Sequence, residues 1–333
     1  MIRPATVYRF DLPTGRSTVV SRPETSVEQQ TASAVLMVRP RAFGFNPETA
    51  ASNHFAQDRL GTDIAQQAVR EFNALADALD RAGVAVMILD DCSERPSPDA
   101  VFPNNWVSFH ADGSVVLYPM CVPSRQRERR FEPLHALLRA HGLAVHQVVD
   151  LSGHERAGRY LEGTGSLIFD RPRRQAYAAL GPRTSAGVIA DFDQRTGYST
   201  CTFEARDPQG RPIYHTNVLM SLGEQFAIVC LAALDGTSRR GVTSSLEATG
   251  RTIIDVDFEQ MEQFACNIIE LRNSYGGRVT AMSTRSLSSL RPDQRSLLRG
   301  LTGTLVDVEI GTIEAIAGGS VRCMLADIHL PSL

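Results

Sequence analysis

The chain has 333 residues, 43% of them hydrophobic and 21% charged, with a net charge of −3. That length buries a sizeable core, and that composition is ordinary for a soluble protein. The near-neutral balance excludes the basic footprint of a nucleic-acid or anionic-membrane binder, and no apolar run approaches the roughly 18 residues of a membrane span.

Residues 1–33 are polar, rich in Pro, Ser and Thr, without a clear period, and are read as an arm of unknown structure. The start Met1-Ile2-Arg3-Pro4 has no apolar signal-peptide core. Six cysteines show neither CxxC spacing nor a small-domain framework, so they are expected to be reduced thiols in the cytoplasm. Residues 34–40 form a buried-strand candidate. Over 62–79 the set Val69, Phe72, Leu75, Ala76 and Leu79 has helical spacing, repeated by Phe131, Leu134, Leu137 and Leu138. Each pattern runs into a glycine, the usual sign of a helix end.

That plan occurs five times. Gly83, Gly142, Gly197, Gly250 and Gly303 stand 53–59 residues apart, each followed by a strand-like run: 84–89, 143–149, 198–203, 251–256 and 304–310. Hairpins are expected at 106–119, 166–180, 218–231 and 268–282. The unit is therefore strand, strand, helix, strand. The fifth unit lacks its last strand, which 34–40 can supply from the other end, closing a ring without exposed edges. The expected architecture is α/β: a five-bladed, pseudo-fivefold α/β-propeller of ββαβ units, one domain over 34–333.

A single slot, 17–22 residues after each glycine, holds Asn105, Glu162, His215, Asn267 and Cys323. Ring closure would turn these five toward one axis, where a thiol, an imidazole and a carboxylate make a nucleophilic site. Alone, Cys323 would read as a buried structural cysteine, as Cys230 does within 226–231. The shared slot and the preceding Gly318-Gly319 favour a nucleophile instead. His215 in the same slot is the acid/base, and Glu162 would orient its ring and favour imidazolium. Asn105 and the nearby Asn217 are either turn residues or substrate contacts; Asn267 is taken as structural or a minor contact. Of the cluster Arg125, Arg127, Arg129 and Arg130, the reading selects Arg127 and Arg129 as a clamp for a substrate carboxylate, against the alternative of a solvated helix face. No phosphate loop, HExxH or CxxC supports nucleotide, cofactor or metal chemistry.

Leu161-Glu162-Gly163, His215-Thr216-Asn217 and Gly318-Gly319-Ser320-Val321-Arg322-Cys323 resemble elements of the guanidine-modifying superfamily, the pentein fold. With Pro103-Asn104-Asn105-Trp106, Tyr214-His215-Thr216-Asn217 and Arg322-Cys323-Met324-Leu325-Ala326, the likeness is greatest to its citrulline-utilisation hydrolases, related to arginine deiminase. The resemblance covers residues 34–331. It implies C–N bond hydrolysis through a covalent thio-intermediate, with no cofactor. Arginine deiminases set carboxylates against the guanidinium where this chain has Asn105 and Asn217, and position 165 is Gly rather than Asp. A carboxamide offers both an acceptor and donors, as a neutral ureido group requires. A citrulline-like ureido substrate is therefore expected over a guanidino one. Rival readings are an amidinotransferase, a guanidine deiminase and a non-enzymatic binding module. The expected partner is a small ureido or guanidino amino acid, without nucleic acid or membrane; a homo-oligomer is left open.

Overall fold

The computed structural model describes residues 28–58, 63–91 and 97–333. The arm thus falls largely outside the described residues. Its last part, from Glu28 on, is packed: the Ala32 carbonyl accepts from Arg272 N–H at 2.8 Å, and the Ser33 carbonyl from Ala85 N–H at 3.0 Å.

Five sheets of three strands account for the architecture. The first hairpin pairs β3 (Val107–Phe109) with β4 (Ser114–Leu117), and β5 (Gln147–Asp150) lies parallel to β4. Next come β6 (Ile168–Asp170) and β7 (Gln175–Ala179), with β8 (Ser199–Phe203) parallel to β7. The third set is β9 (Met220–Leu222), β10 (Phe226–Val229) and β11 (Thr252–Asp255). The fourth is β12 (Ile269–Arg272), β13 (Arg278–Ser283) and β14 (Thr304–Val308). The fifth joins the two ends of the described chain. There β1 (Ala34–Arg39) pairs antiparallel with β15 (Ala326–Ile328), Ala34 opposite Ile328, and parallel with β2 (Ala85–Asp90). The expected pairing of 34–40 with the segment after Cys323 is therefore present.

Between the second and third strand of each sheet runs a helix, because a parallel partner needs a crossover. The helix Ile64–Arg81 buries Ala68, Phe72, Leu75, Ala76 and Leu79 on one face. It ends at Gly83, whose φ of +82° suits glycine, with Val84 N–H bonded back to the Leu79 carbonyl at 3.0 Å. The glycines at 142, 197 and 250 are left-handed too. Gly303 departs from the pattern: it is needed because a Cβ there would stand 2.8 Å from the Arg278 carbonyl oxygen. Strand β5 is shorter than the expected 143–149, since residues 144–146 carry no ladder pairing. Among the described residues no helix is long and apolar enough to cross a membrane.

Buried ion pairs tie the sheets together. Arg171, following β6, reaches Glu28 at 2.6 Å, Asp327 of β15 at 2.7 Å and the Phe109 carbonyl of β3 at 3.1 Å. Arg251 binds Asp170 at 2.7 Å and the Gly223 carbonyl at 2.8 Å. Removing one member of such a set strands its partners in a low-dielectric interior. Arg171→Ala is accordingly expected to lower unfolding stability by about 3–5 kcal/mol, read from denaturant titration.

Candidate active site

The five slot residues all lie two to six residues before the first strand of a sheet. Asn105 ends the tight turn Pro103–Asn105 before β3, and Glu162 caps the turn Gly163–Ser166 before β6. His215 precedes the turn Thr216–Val218 before β9, Asn267 stands just ahead of β12, and Cys323 sits in the turn Val321–Met324 before β15. All five are buried, Cys323 being 6% exposed and Glu162 fully enclosed. Gly163, at φ +45°, lets its turn pass close to the Asn104 carbonyl; a Cβ there would stand 2.2 Å from that oxygen.

Glu162 and His215 are in direct contact, Oε2 to Nε2 at 2.7 Å. The other carboxylate oxygen accepts from Cys121 N–H at 2.9 Å, and Arg183 Nη1 stands 3.4 Å from Oε2. Burial alone would raise the Glu162 carboxyl, but Arg183 and His215 outweigh it and hold the group well below the usual carboxylate range. For His215 burial wins. Burial, with Arg183 and Arg125 adding to it, outweighs the pull of Glu162 and lowers the imidazole to about 4. The ring therefore rests neutral, which corrects the expectation that Glu162 makes it an imidazolium. Two nearby guanidinium charges oppose the single carboxylate.

Two amides meet the thiol. Asn217 Nδ2 donates to Cys323 Sγ at 3.3 Å and Asn267 Nδ2 at 3.2 Å. Asn267 was expected to be structural or minor, yet its contact equals that of Asn217. Asn105 Oδ1 accepts from Arg125 Nη1 at 2.6 Å, which leaves its Nδ2 without a partner; Asn217 Oδ1 and Asn267 Oδ1 are likewise unpartnered. The shared slot was the signal that could have promoted Asn267.

The pocket over these residues is lined also by Thr49, Asn53, Asp99, Arg125, Arg183 and Tyr214, and holds about 280 Å³ including its mouth. Segment 46–58 covers it. Asn53 Nδ2 bonds the Ala317 carbonyl at 3.0 Å, and Arg183 Nη2 bonds the Thr49 carbonyl at 2.9 Å and Ser52 Oγ at 2.7 Å. Asp99 accepts from Asn46 at 2.7 Å and Thr49 at 3.0 Å, and burial raises its carboxyl despite the Arg125 charge. Gly165 faces the same space: a Cβ there would stand 2.4 Å from Asn105 Nδ2 and 3.0 Å from the His215 ring.

Arg127 and Arg129, expected to clamp a substrate carboxylate, stand away from the pocket. Arg127 is exposed and bonds the Pro123 carbonyl at 3.2 Å; Arg129 pairs with Glu155 at 2.9 Å; neither lines the pocket. Arg125, two residues before Arg127, points inward, held by both oxygens of Glu128. Arg183 and Asp99 lie outside the repeat slot and the arginine cluster, and no spacing signal marked them. Of the five described free cysteines, only Cys323 lines this pocket.

This geometry defines a class before any comparison: an α/β protein of five small sheets with Cys, His and Asn lining one pocket and a Glu behind the His. Residues 39–330 match the family of N,N-dimethylarginine dimethylhydrolases, described from eukaryotes. The chain belongs to that family, within the guanidine-modifying pentein superfamily. The family is named for hydrolysis of dimethylarginine. Solved structures agree on the fold. ArgZ, an arginine dihydrolase from the ornithine–ammonia cycle in cyanobacteria, superposes in its apo form with a TM-score of 0.67 at 19% identity, over 90% of this chain and 41% of that one. The chain thus spans about two fifths of the full-length dihydrolase. The N-terminal domain of ArgZ, carrying a covalent reaction intermediate, gives 0.66 at 18% identity over 90% of this chain and 99% of that one. A dimethylarginine dimethylaminohydrolase adduct with 4-chloro-2-hydroxymethylpyridine gives 0.62 at 16%, over 89% and 99%. No curated protein matches the chain by sequence.

Proposed function

We propose that the chain hydrolyses the ureido C–N bond of a citrulline-like amino acid, with Cys323 as nucleophile. Three unspent amide atoms carry this reading: Asn105 Nδ2 as a donor and Asn217 Oδ1 and Asn267 Oδ1 as acceptors. A ureido group needs one donor for its carbonyl and acceptors for its NH₂, and a set of neutral amides adds no charge to match a cation. In this reading the Cys323 thiol proton passes to neutral His215 as sulfur attacks the ureido carbon. The imidazolium then protonates the departing side-chain nitrogen, leaving an S-carbamoyl enzyme. Water, deprotonated by His215, displaces the thiolate. The carbamic acid released breaks down to ammonia and carbon dioxide, and the other product is an amine, ornithine when citrulline is the substrate. Glu162 holds the His215 ring throughout, and Arg125 or Arg183 takes over the carboxylate role first given to Arg127 and Arg129.

The architecture proposed for this chemistry is a single α/β-propeller over 34–333, its five sheets arranged around one axis. The pairing of β1 with β15 and the Arg171 bonds to β3 and β15 support it.

A second reading is a guanidino substrate, as in the arginine dihydrolases to which the chain is similar. Buried Asp99 beside the pocket and ionised Glu162 behind His215 favour it, since either offsets part of the desolvation of a bound cation. Ammonia and amine release, measured with citrulline and with arginine, separates the two. The expected result is faster turnover of citrulline, which Asn105→Asp weakens because a carboxylate cannot donate to the ureido carbonyl. Preference for arginine over every ureido compound would replace the first reading by the second.

A further inference from the structure

A larger cavity lies on the far side of Tyr214. It encloses about 1070 Å³ including its open mouth, and Tyr214 lines both it and the catalytic pocket. Its walls include Phe55, Phe264, Arg211, Arg285 and Glu314. Phe55 and Phe264 meet with ring centroids 5.4 Å apart. Phe264 holds φ at +63°, a left-handed conformation that a bulky residue adopts only where its surroundings impose it.

The charged groups of this cavity are arranged in an unusual way. Glu314 is 1% exposed, yet its Oε2 has no hydrogen-bond partner. The nearest cation, Arg285 Nη1, stands 4.0 Å away, too far for a hydrogen bond. Arg285 itself lies over the Phe264 ring at 5.2 Å and spends its Nε on Gln263 at 2.6 Å. A buried carboxylate oxygen and a partly exposed guanidinium thus stand at ion-pair distance with no hydrogen bond between them. We propose that this cavity is a second binding site, distinct from the catalytic pocket, for the zwitterionic head of a free α-amino acid. The ammonium would donate to Glu314 Oε2, the carboxylate would pair with Arg285, and the side chain would lie against Phe55 and Phe264.

Burial raises the Glu314 carboxyl above its ordinary range, although the nearby Ser283 and Ser320 hydroxyls act against it. An arriving ammonium would favour its charged form, so ligand and carboxylate stabilise each other. The site is also wired to the nucleophile. Glu314 Oε1 accepts from Ser320 Oγ at 2.6 Å, and the Ser320 carbonyl accepts from Cys323 N–H at 3.0 Å. The same helix, Gly311–Ala317, holds the covering segment through Gln57 N–H on the Ala315 carbonyl at 3.0 Å. Occupancy therefore bears on both the thiol loop and the segment over it, and any effect is reciprocal between the two sites.

The binding site does not rest on the reaction proposed above, so its test uses the turnover-free Cys323→Ser protein. L-leucine, a zwitterion without ureido, guanidino or second amino group, is titrated calorimetrically to about 10 mM. One equivalent should bind; Arg285→Met should weaken it at least about tenfold, and Arg285→Lys, which keeps the charge, by less. Hydrogen exchange with the unsubstituted Arg285 gives a second measurement independent of those variants. Leucine should slow amides in 261–264 and 313–320 and leave those in 103–105 and 216–219 unchanged. Absence of binding, undiminished binding to Arg285→Met, or protection confined to the catalytic-pocket turns would each overturn the proposal.

Discussion

Replacing Cys323 with serine should reduce turnover at least about 10³-fold while leaving thermal unfolding nearly unchanged. The two residues are close in size, and the two amides that donate to Sγ can donate equally to a hydroxyl oxygen, so packing survives. Reactivity does not. In the proposed reaction sulfur attacks as it gives its proton to His215, whereas a serine alkoxide is far more costly to form. Covalent labelling gives an independent check. Iodoacetamide should modify Cys323 with loss of activity before Cys121, the half-buried thiol whose ionisation burial and the Glu162 charge both oppose. Labelling of Cys121 first, with activity retained, would remove Cys323 from its role.

Glu162→Gln should cost about 10²–10⁴-fold in kcat/KM, the range set by losing a general acid–base group or its correct tautomer. The carboxylate only accepts from His215 Nε2, which fixes the proton on that nitrogen and frees the other; a glutamine can present its NH₂ and invert the tautomer. The pH profile distinguishes this role from a structural one. His215 lies at about 4 in the native enzyme, so kcat/KM should fall only as pH drops through that value, when the ring becomes charged and can no longer take the thiol proton. Glu162 raises the His215 value, so its loss should move the acid limb lower still. Arg183 depresses it, so Arg183→Met should move the limb upward, toward the ordinary histidine value of about 6.5. An acid limb near neutrality in the unmodified enzyme would mean a resting imidazolium and would invalidate the assignment.

Repetition made much of this legible in the amino-acid sequence. Glycines at a near-constant interval located the helix ends, and a fixed offset from them located all five residues that precede the first strand of each sheet. Asn267 was underrated because its side chain has no acid–base chemistry; its importance lies in contact with sulfur, which only the fold reveals. Arg183 and Asp99 were invisible for a different reason. They come from irregular segments, outside the repeat slot, and reach the pocket through the covering loop at Thr49 and Ser52. The arginine cluster shows the limit of composition: four guanidinium groups within six residues are alike in sequence, and only the turn Pro123–Gln126 decides that Arg125 faces inward while Arg127 faces water. The charge state of His215 was misjudged because adjacency to Glu162 could be inferred, while the depth of its burial and the two opposing arginines could not.

The antiparallel pairing of β1 with β15 has a consequence for synthesis. On the ribosome β1 emerges early and finds β2 soon afterwards, but its other edge stays unpaired until almost all the described chain has been translated. Cys323 arrives with the very segment that covers that edge. The nascent protein therefore carries an open strand flank, and with it a risk of pairing with a neighbouring chain, for as long as it lacks its thiol. Protection from aggregation and delivery of Cys323 come in one late step, so a chain halted before it exposes a sticky edge and lacks the sulfur of the pocket.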